Sequence, residues 1–317
     1  MSASEIVRVI NQNQSFAVVV HINPDGDCLG SAAALVSAIR GMGKCADIFL
    51  DDTIPDRLSF VWKEDFLGNI NKHYDVCIAV DVAADYMLGS IKETVFDKTA
   101  CSCCIDHHGT NNGYAMYNCI NADASAAGEV VFDLIKNQLG VSITDDIARY
   151  LYIAIASDTG GFRYSNTTSE THEIASMLMK YNIDAPIIMR MLFEQKSINQ
   201  LRIRNDVVAD MRFYEDNKIC VASVDKNLLD KYNMSFEQTD DLAQLPRSIR
   251  GVEVGVYLKI KGDNEVKASL RSNDYADVSA VAAALGGGGH KRAAGVTINA
   301  TAEEAEKLIL NEIKKVM

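Results

Sequence analysis

An apolar run, Phe16-Ala17-Val18-Val19-Val20, ends on His21-Ile22-Asn23-Pro24-Asp25-Gly26-Asp27-Cys28-Leu29-Gly30-Ser31, which leads into a small-residue helical pattern from Ala32 to Ile39. That order reads as strand, ligand-rich turn, helix. One imidazole and two carboxylates lie within seven positions. They stand at the carboxyl end of a strand, where open α/β sheets place their sites. Three such groups repel one another or lose hydration unless a cation or substrate compensates them. The stretch therefore predicts a metal site whose other ligands come from elsewhere in the chain.

Further strand ends carry the same signature. Val76-Cys77-Ile78-Ala79-Val80 ends on Asp81, and Ala100 to Ile105 ends on Asp106-His107-His108. Residues 4–13 and 124–139 have helical spacing. Thr144 caps a helix that delivers Asp158 just before Thr159-Gly160-Gly161. Another helix starts near Ser169. Alternating strands and helices up to about residue 180 predict an α/β fold with a doubly wound, mostly parallel sheet. Residues 184–203 read as a connecting helix. Beyond it, strands at 211–224, 252–260, 265–271 and 295–299 and a helix at 301–316 predict a smaller α+β domain with a mixed sheet. The expected division is 1–183, 184–203 as linker, and 204–317.

Composition narrows the partners. The 317 residues are 48% hydrophobic with a net charge of −12, which suits a globular protein and argues against a long nucleic-acid lattice as partner. Residues 1–203 carry 15 basic against 25 acidic side chains and residues 204–317 carry 16 against 18. Metal-gathering carboxylates in front of an anion-gripping back half would give this skew, as would solvated helices. The eight cysteines include no C-x-x-C pair, so Cys101, Cys103 and Cys104 read as core thiols and the chain as a cytoplasmic protein. No apolar run is long enough to span a membrane.

Two His and four Asp at converging strand ends exceed what one cation needs and suit a dinuclear centre with a shared carboxylate. Imidazole and carboxylate without thiolate favour Mn²⁺, with Co²⁺, Fe²⁺, Mg²⁺ or Zn²⁺ as alternatives. Two cations roughly 3.5–4 Å apart would polarise a bridging water and clamp the oxygens of a phosphoryl displacement. A separate run, Gly286-Gly287-Gly288-Gly289-His290-Lys291-Arg292, leaves backbone N–H groups open to an anion, and Arg271 upstream offers a guanidinium. Arg163, Tyr164 and Asn166 read equally as cleft lining or as a structural loop. The methionines at 177, 179, 189 and 191 read as packing, and His73 and His172 as surface or capping residues.

The ordered set H-x-x-P-D-x-D-x-x-G-S, a strand-ending Asp, D-H-H, S-D-T-G and G-G-G-G-H resembles the DHH phosphoesterase superfamily, in its small two-domain branch with the DHH-associated C-terminal domain. The resemblance covers essentially the whole chain. It implies that His21, Asp25 and Asp81 hold one metal and that Asp27, Asp81, His107 and Asp158 hold the other. It further implies that His108 faces the scissile phosphate and that Asp106 orients its neighbours. Arg271, Gly287, Gly288, Gly289 and His290 would grip the far end of a nucleotide across a cleft between the domains. The implied activity is two-metal hydrolysis of short oligoribonucleotides and dinucleotides, and of 3′-phosphoadenosine 5′-phosphate to AMP. Alternatives are a linear or cyclic dinucleotide phosphodiesterase, a pyrophosphatase-type hydrolase and a non-catalytic nucleotide-binding regulator. A homodimer stays open.

Overall fold

Short segments rich in Val, Ile, Ala and Cys pair into one sheet because both of their faces are buried. The structure, a computed structural model, describes residues 3–317. The strands are β1 (Ser15–Val19), β2 (Cys45–Phe49), β3 (Val76–Val80), β4 (Ser102–Asp106) and β5 (Tyr117–Ile120). They lie in the order β2-β1-β3-β4-β5, and every pairing is parallel. The expected α/β class is present, and the sheet is wholly rather than mostly parallel. Strand order reverses between β1 and β3, which makes their carboxyl ends the natural place for a ligand.

Alternate side chains go to opposite faces. Phe16, Val18, Ile78, Val80 and Ile105 join the core beneath the helices α1 (Ala3–Gln12), α2 (Gly26–Gly41), α3 (Ala127–Asp133), α4 (Asp145–Asp158) and α5 (Ser169–Leu178). Ala17, Val19, Cys77, Ala79 and Cys104 pack the other way against Phe49, Leu88, Ile91, Val95 and Phe96. That second face is covered by a 3₁₀ turn at Asp85–Leu88 and a π turn at Lys92–Phe96 instead of full α-helices. Gly89, at φ 58°, ends the first of these turns. Strands β2 and β5 have no counterpart in the sequence reading. β2 carries Asp47 mid-strand, bound by Arg40, Lys72 and Tyr74. β5 is a four-residue edge strand of mixed polarity. Neither shows an apolar run.

Glycines bring three helices into backbone contact. A Cβ at Gly30 of α2 would stand 2.6 Å from the Tyr150 carbonyl oxygen and 3.0 Å from the Ala154 Cβ, both on α4. A Cβ at Gly128 of α3 would stand 2.7 Å from the same Ala154 Cβ. α4 is thereby seated against both α2 and α3, and it ends on Asp158.

The chain divides into two compact units, Met1–Gln195 and Lys196–Met317. The segment 184–203 is not the single connecting helix expected from its spacing. α6 (Ala185–Met189) runs into a π turn, Arg190–Glu194, and stops at Gln195, whose backbone is extended. Ser197 then accepts a hydrogen bond from the Gln200 N–H and starts α7 (Ile198–Ala209). An N-cap inside a helical pattern breaks it, because its side chain competes for the backbone donors.

The second unit contains β6 (Arg212–Tyr214), β7 (Ile219–Asp225), α8 (Lys226–Tyr232), β8 (Val254–Gly262), β9 (Glu265–Ser272), α9 (Val278–Ala284), β10 (Gly288–His290), β11 (Ala293–Ile298) and α10 (Ala302–Ile313). Its sheet runs β10-β11-β9-β8-β7-β6 and is mixed, with β7 and β8 parallel and the other pairs antiparallel. Val221, Val256 and Leu270 face a core that includes Val281 of α9 and Ile309 of α10. Ala222, Val224 and Tyr257 face Ile203 and Val207 of α7 and Leu229 of α8. Among the described residues no helix is long and apolar enough to cross a membrane.

Gly30→Ala tests the helix seating. The added methyl overpacks the α2–α4 contact, and a loss of about 2 kcal/mol is expected in denaturant unfolding. Better helix propensity recovers only part of that loss. Unchanged stability would mean that α4 shifts freely.

Candidate metal centre

The carboxyl ends of β1, β3 and β4 and the end of α4 gather the predicted ligands. Asp25 caps α2, its Oδ1 accepting from the N–H groups of Asp27 and Cys28 at 3.0 Å each. Asp27, in the first turn of α2, is buried. Its Oδ1 accepts from Ser31 Oγ at 2.9 Å and from Gly128 N at 3.0 Å, and its Oδ2 accepts from Ala127 N at 2.7 Å. The first amides of α3, at the positive end of that helix, thus hold this carboxylate. His21 Nδ1 bonds the Ile22 carbonyl at 2.7 Å and His107 Nδ1 the Ala124 carbonyl at 3.2 Å. Each bond turns the opposite ring nitrogen inward.

Asp81 lies between the two imidazoles. His21 Nε2 stands 3.8 Å from Asp81 Oδ2 and 4.0 Å from Asp25 Oδ1. His107 Nε2 stands 3.6 Å from Asp81 Oδ1, 3.8 Å from Asp27 Oδ2 and 3.7 Å from Asp158 Oδ2. These separations are too long for hydrogen bonds and short enough for groups sharing one cation. Asp81 Oδ1 is buried with no hydrogen-bond partner, an arrangement that costs free energy until something positive fills it. The donors fit divalent cations on either side of Asp81. Cys28 Sγ also lies within 4.8 Å of ligand atoms of His21 and Asp25. Burial keeps that thiol protonated, and it bonds the Asp25 carbonyl, so it makes a poor ligand.

Electrostatics match this crowding. Asp27 is pushed up to about 7, first by burial and then by the charge of Asp158. Asp158 is also pushed up to about 7, by burial and by Asp25, although 32% of its side chain meets solvent. Burial, followed by the charge of Asp27, holds Asp81 far above the carboxylate range. Asp106 behaves oppositely. Its burial would raise it, but hydrogen bonds from His108 and Asn111 outweigh that and keep it below its ordinary value. His108 is raised by its 2.9 Å bond through Nδ1 to Asp106 Oδ1.

The remaining predicted residues lie in the second unit. Arg271 of β9 pairs with Ala293 of β11, which pairs with His290 of β10. Directly paired residues share a sheet face, so Arg271 and His290 flank a small alanine. The glycine run is not simply a loop, because Gly288–His290 forms β10. A Cβ at Gly287 would lie 2.2 Å from the Gly295 carbonyl oxygen, and one at Gly289, where φ is 143°, would lie 2.6 Å from that of Ala293. Hairpin closure therefore requires those two glycines. A Cβ at Gly288 would meet nothing within 4 Å. Arg292, part of the same basic run, donates to the carbonyls of Asp274 and Ala276 and serves the loop.

Two family models match the chain, the DHH family N-terminal domain over residues 15–155 and the DHHA1 domain over residues 216–317. The chain carries a DHH-family domain followed by a DHHA1 domain. It is similar to the bifunctional oligoribonuclease and PAP phosphatase NrnA of Thermus thermophilus, at 29% identity over 94% of this chain and 89% of that one. The protein of the same name from Bacillus subtilis is 24% identical over 96% of each chain. Among solved structures, an exopolyphosphatase-related protein from Bacteroides fragilis matches with a TM-score of 0.90 at 24% identity, covering 99% and 95% of the two chains. A manganese-bound RecJ exonuclease matches with a TM-score of 0.52 at 15% identity, covering 99% and 94%.

Other side chains of the first unit brace the candidate ligands. Asn166 Nδ2 donates to the Ser125 carbonyl at 2.9 Å and to the Asp158 carbonyl at 3.2 Å, so the loop after α4 braces Asp158. Arg163 bonds the Gly160 carbonyl at 2.6 Å and lies over the Phe193 ring. Both support the loop. Ser31 was legible as a polar residue one turn beyond Asp27. Asn111, three residues beyond His108, carried no signal.

The raised carboxyls set a pH dependence. A carboxyl with a raised folded-state pKa holds a proton that the unfolded chain has released, so stability falls as pH rises through that window, from about 4 to about 7. His108, raised as well, loses its contribution as pH rises above its ordinary value of 6.5. Both effects run the same way. Metal-free protein should melt higher at about pH 5 than at about pH 8, and Mn²⁺ should stabilise it more at the higher pH, where no protons compete. Differential scanning calorimetry at the two values checks this, and the opposite order would contradict it.

Proposed function

We propose that this chain hydrolyses short oligoribonucleotides, dinucleotides above all, to mononucleotides, and removes one phosphate from 3′-phosphoadenosine 5′-phosphate to leave AMP. The single observation that carries the reading is Asp81, buried between His21 and His107 with its Oδ1 unpartnered. The names of the NrnA relatives point to the same two substrates.

His21, Asp25 and Asp81 would hold one divalent cation and Asp27, Asp81, His107 and Asp158 the other, with Asp81 shared. When bound, such cations supply Lewis-acid polarisation of water and of phosphoryl oxygens. Imidazole with carboxylate and no thiolate favours Mn²⁺. The protein's own side chains supply orientation and a proton. Asp106 Oδ1 accepts the hydrogen bond from His108 Nδ1–H, which leaves Nε2 to face the scissile phosphate. The raised pKa of His108 favours the charged form, able to donate to a phosphoryl oxygen or the departing oxygen. Arg271, His290 and the amides of Gly287, Gly288 and Gly289 would take the distal phosphate or base. A net charge of −12 suits short ligands held locally rather than a long polymer.

Purified Mn²⁺-loaded protein assayed against dinucleotides, 3′-phosphoadenosine 5′-phosphate, cyclic dinucleotides and pyrophosphate should turn over the first two with kcat/KM at least ~10-fold above the others. Preference for pyrophosphate or cyclic dinucleotides would overturn the assignment. Asp81→Asn removes the shared charge and, unlike Ala, suits the left-handed backbone of that position, where φ is 58°. Activity should fall by ~10²-fold or more, while the metal-free protein melts no lower than wild type. Retained activity in a metal-replete variant would refute the shared role.

A further inference from the structure

The strand-end turn after β3 and the D-H-H strand end are tied together by one side chain outside every motif. Asn111 reaches back beneath β4 through a turn closed by its own N–H on the His108 carbonyl at 3.1 Å. Its Nδ2 donates to Asp106 Oδ2 at 2.7 Å and to the Val82 carbonyl at 3.1 Å. Its Oδ1 accepts from Gly113 N at 2.8 Å. Tyr114 gives the Val82 carbonyl a second bond, from its hydroxyl at 3.1 Å.

Val82 follows Asp81, whose left-handed backbone is unfavourable for a residue bearing a Cβ and persists only where its surroundings over-determine it. The other oxygen of Asp106 holds His108 Nδ1 at 2.9 Å. Asn111 therefore touches both determinants of the site: the turn that aims Asp81 and the carboxylate that fixes the His108 ring.

We propose that Asn111 is a positioning residue for the phosphoester reaction, locking the Asp81–Val82 turn and the Asp106–His108 pair into one geometry. It acts through Asp81 and His108 and rests on the two-metal reading above. Its donors do the positioning, and its acceptor only closes the turn at Gly113.

That distinction sets the test. Asn111→Asp keeps an acceptor for Gly113 N but has no donor for Asp106 or Val82, whereas Asn111→Ala loses both. With a positioning role, Asn111→Asp lowers kcat on dinucleotides by roughly 10–100-fold, leaves KM within about threefold, weakens Mn²⁺ binding measured by calorimetry by a similar 10–100-fold factor and alters the electron paramagnetic resonance spectrum of bound Mn²⁺; Asn111→Ala does no worse. With only a turn-closing role, Asn111→Asp matches wild type in all of these and Asn111→Ala alone suffers, which overturns the proposal. The Mn²⁺ affinity and spectrum report on Asn111 even with no turnover of any substrate, so a failed activity reading stays separate. Should Asn111→Asp not fold, hydrogen exchange of the wild-type Asn111 side-chain amide decides. Exchange at least ~10-fold slower than that of exposed amides supports the two donor bonds, and exchange at the exposed rate overturns them.

Discussion

A buried carboxylate oxygen that no hydrogen bond satisfies dominates the first unit. Asp81 Oδ1 has two imidazoles within 3.6 Å and four further carboxyl groups around it, yet no donor of its own. Such a group is unfavourable by an amount comparable to a lost charge-assisted hydrogen bond. Every neighbouring device limits that cost without removing it. Backbone amides at the starts of α2 and α3 take one oxygen of Asp25 and both of Asp27. The site gathers carboxyls that burial and mutual repulsion leave protonated, braced at its edges, and divalent cations can displace those protons.

The bracing depends on helix packing far from the ligands. α4 can deliver Asp158 only because Gly30 and Gly128 let two other helices approach its backbone. The parallel sheet fixes the spacing of the remaining groups, since the ends of neighbouring strands stand one strand separation apart, about 4.8 Å. The order β2-β1-β3-β4-β5 then places β1, β3 and β4 side by side, with their ligand-bearing ends in register. In the DHHA1 domain the hairpin of β10 and β11 does similar work. Two glycines are consumed in closing it, and Gly288 remains open beside Arg271 and His290.

The candidate ligands were legible in the chain because His21, Asp81 and His107 each sit within two residues of an apolar strand end, Asp25 and Asp27 in the turn and first helical turn that follow β1, and Asp158 at a helix end marked by Gly160, and such boundaries are local. So were the α/β class and the mixed second sheet. β2 and β5 were not, since Asp47 is tolerated mid-strand only through Arg40, Lys72 and Tyr74, which come from outside that strand. The break at Gln195–Ser197 was hidden because a capping serine interrupts a helical period without changing its hydrophobic spacing.

Local pattern, then, sufficed to single out His21, Asp25, Asp27, Asp81, Asp106, His107, His108 and Asp158 as candidates, since residue type and placement at element ends are properties of neighbouring residues. The contacts that brace them came only with the folded chain. That Asp81 stands between two imidazoles, that α3 holds Asp27, that Asn166 braces Asp158, and that Asn111 joins two strand ends are contacts between residues dozens of positions apart or across a turn. Spacing along a chain carries no information about them, because side-chain hydrogen bonds are chosen by three-dimensional proximity after the sheet and helices have packed.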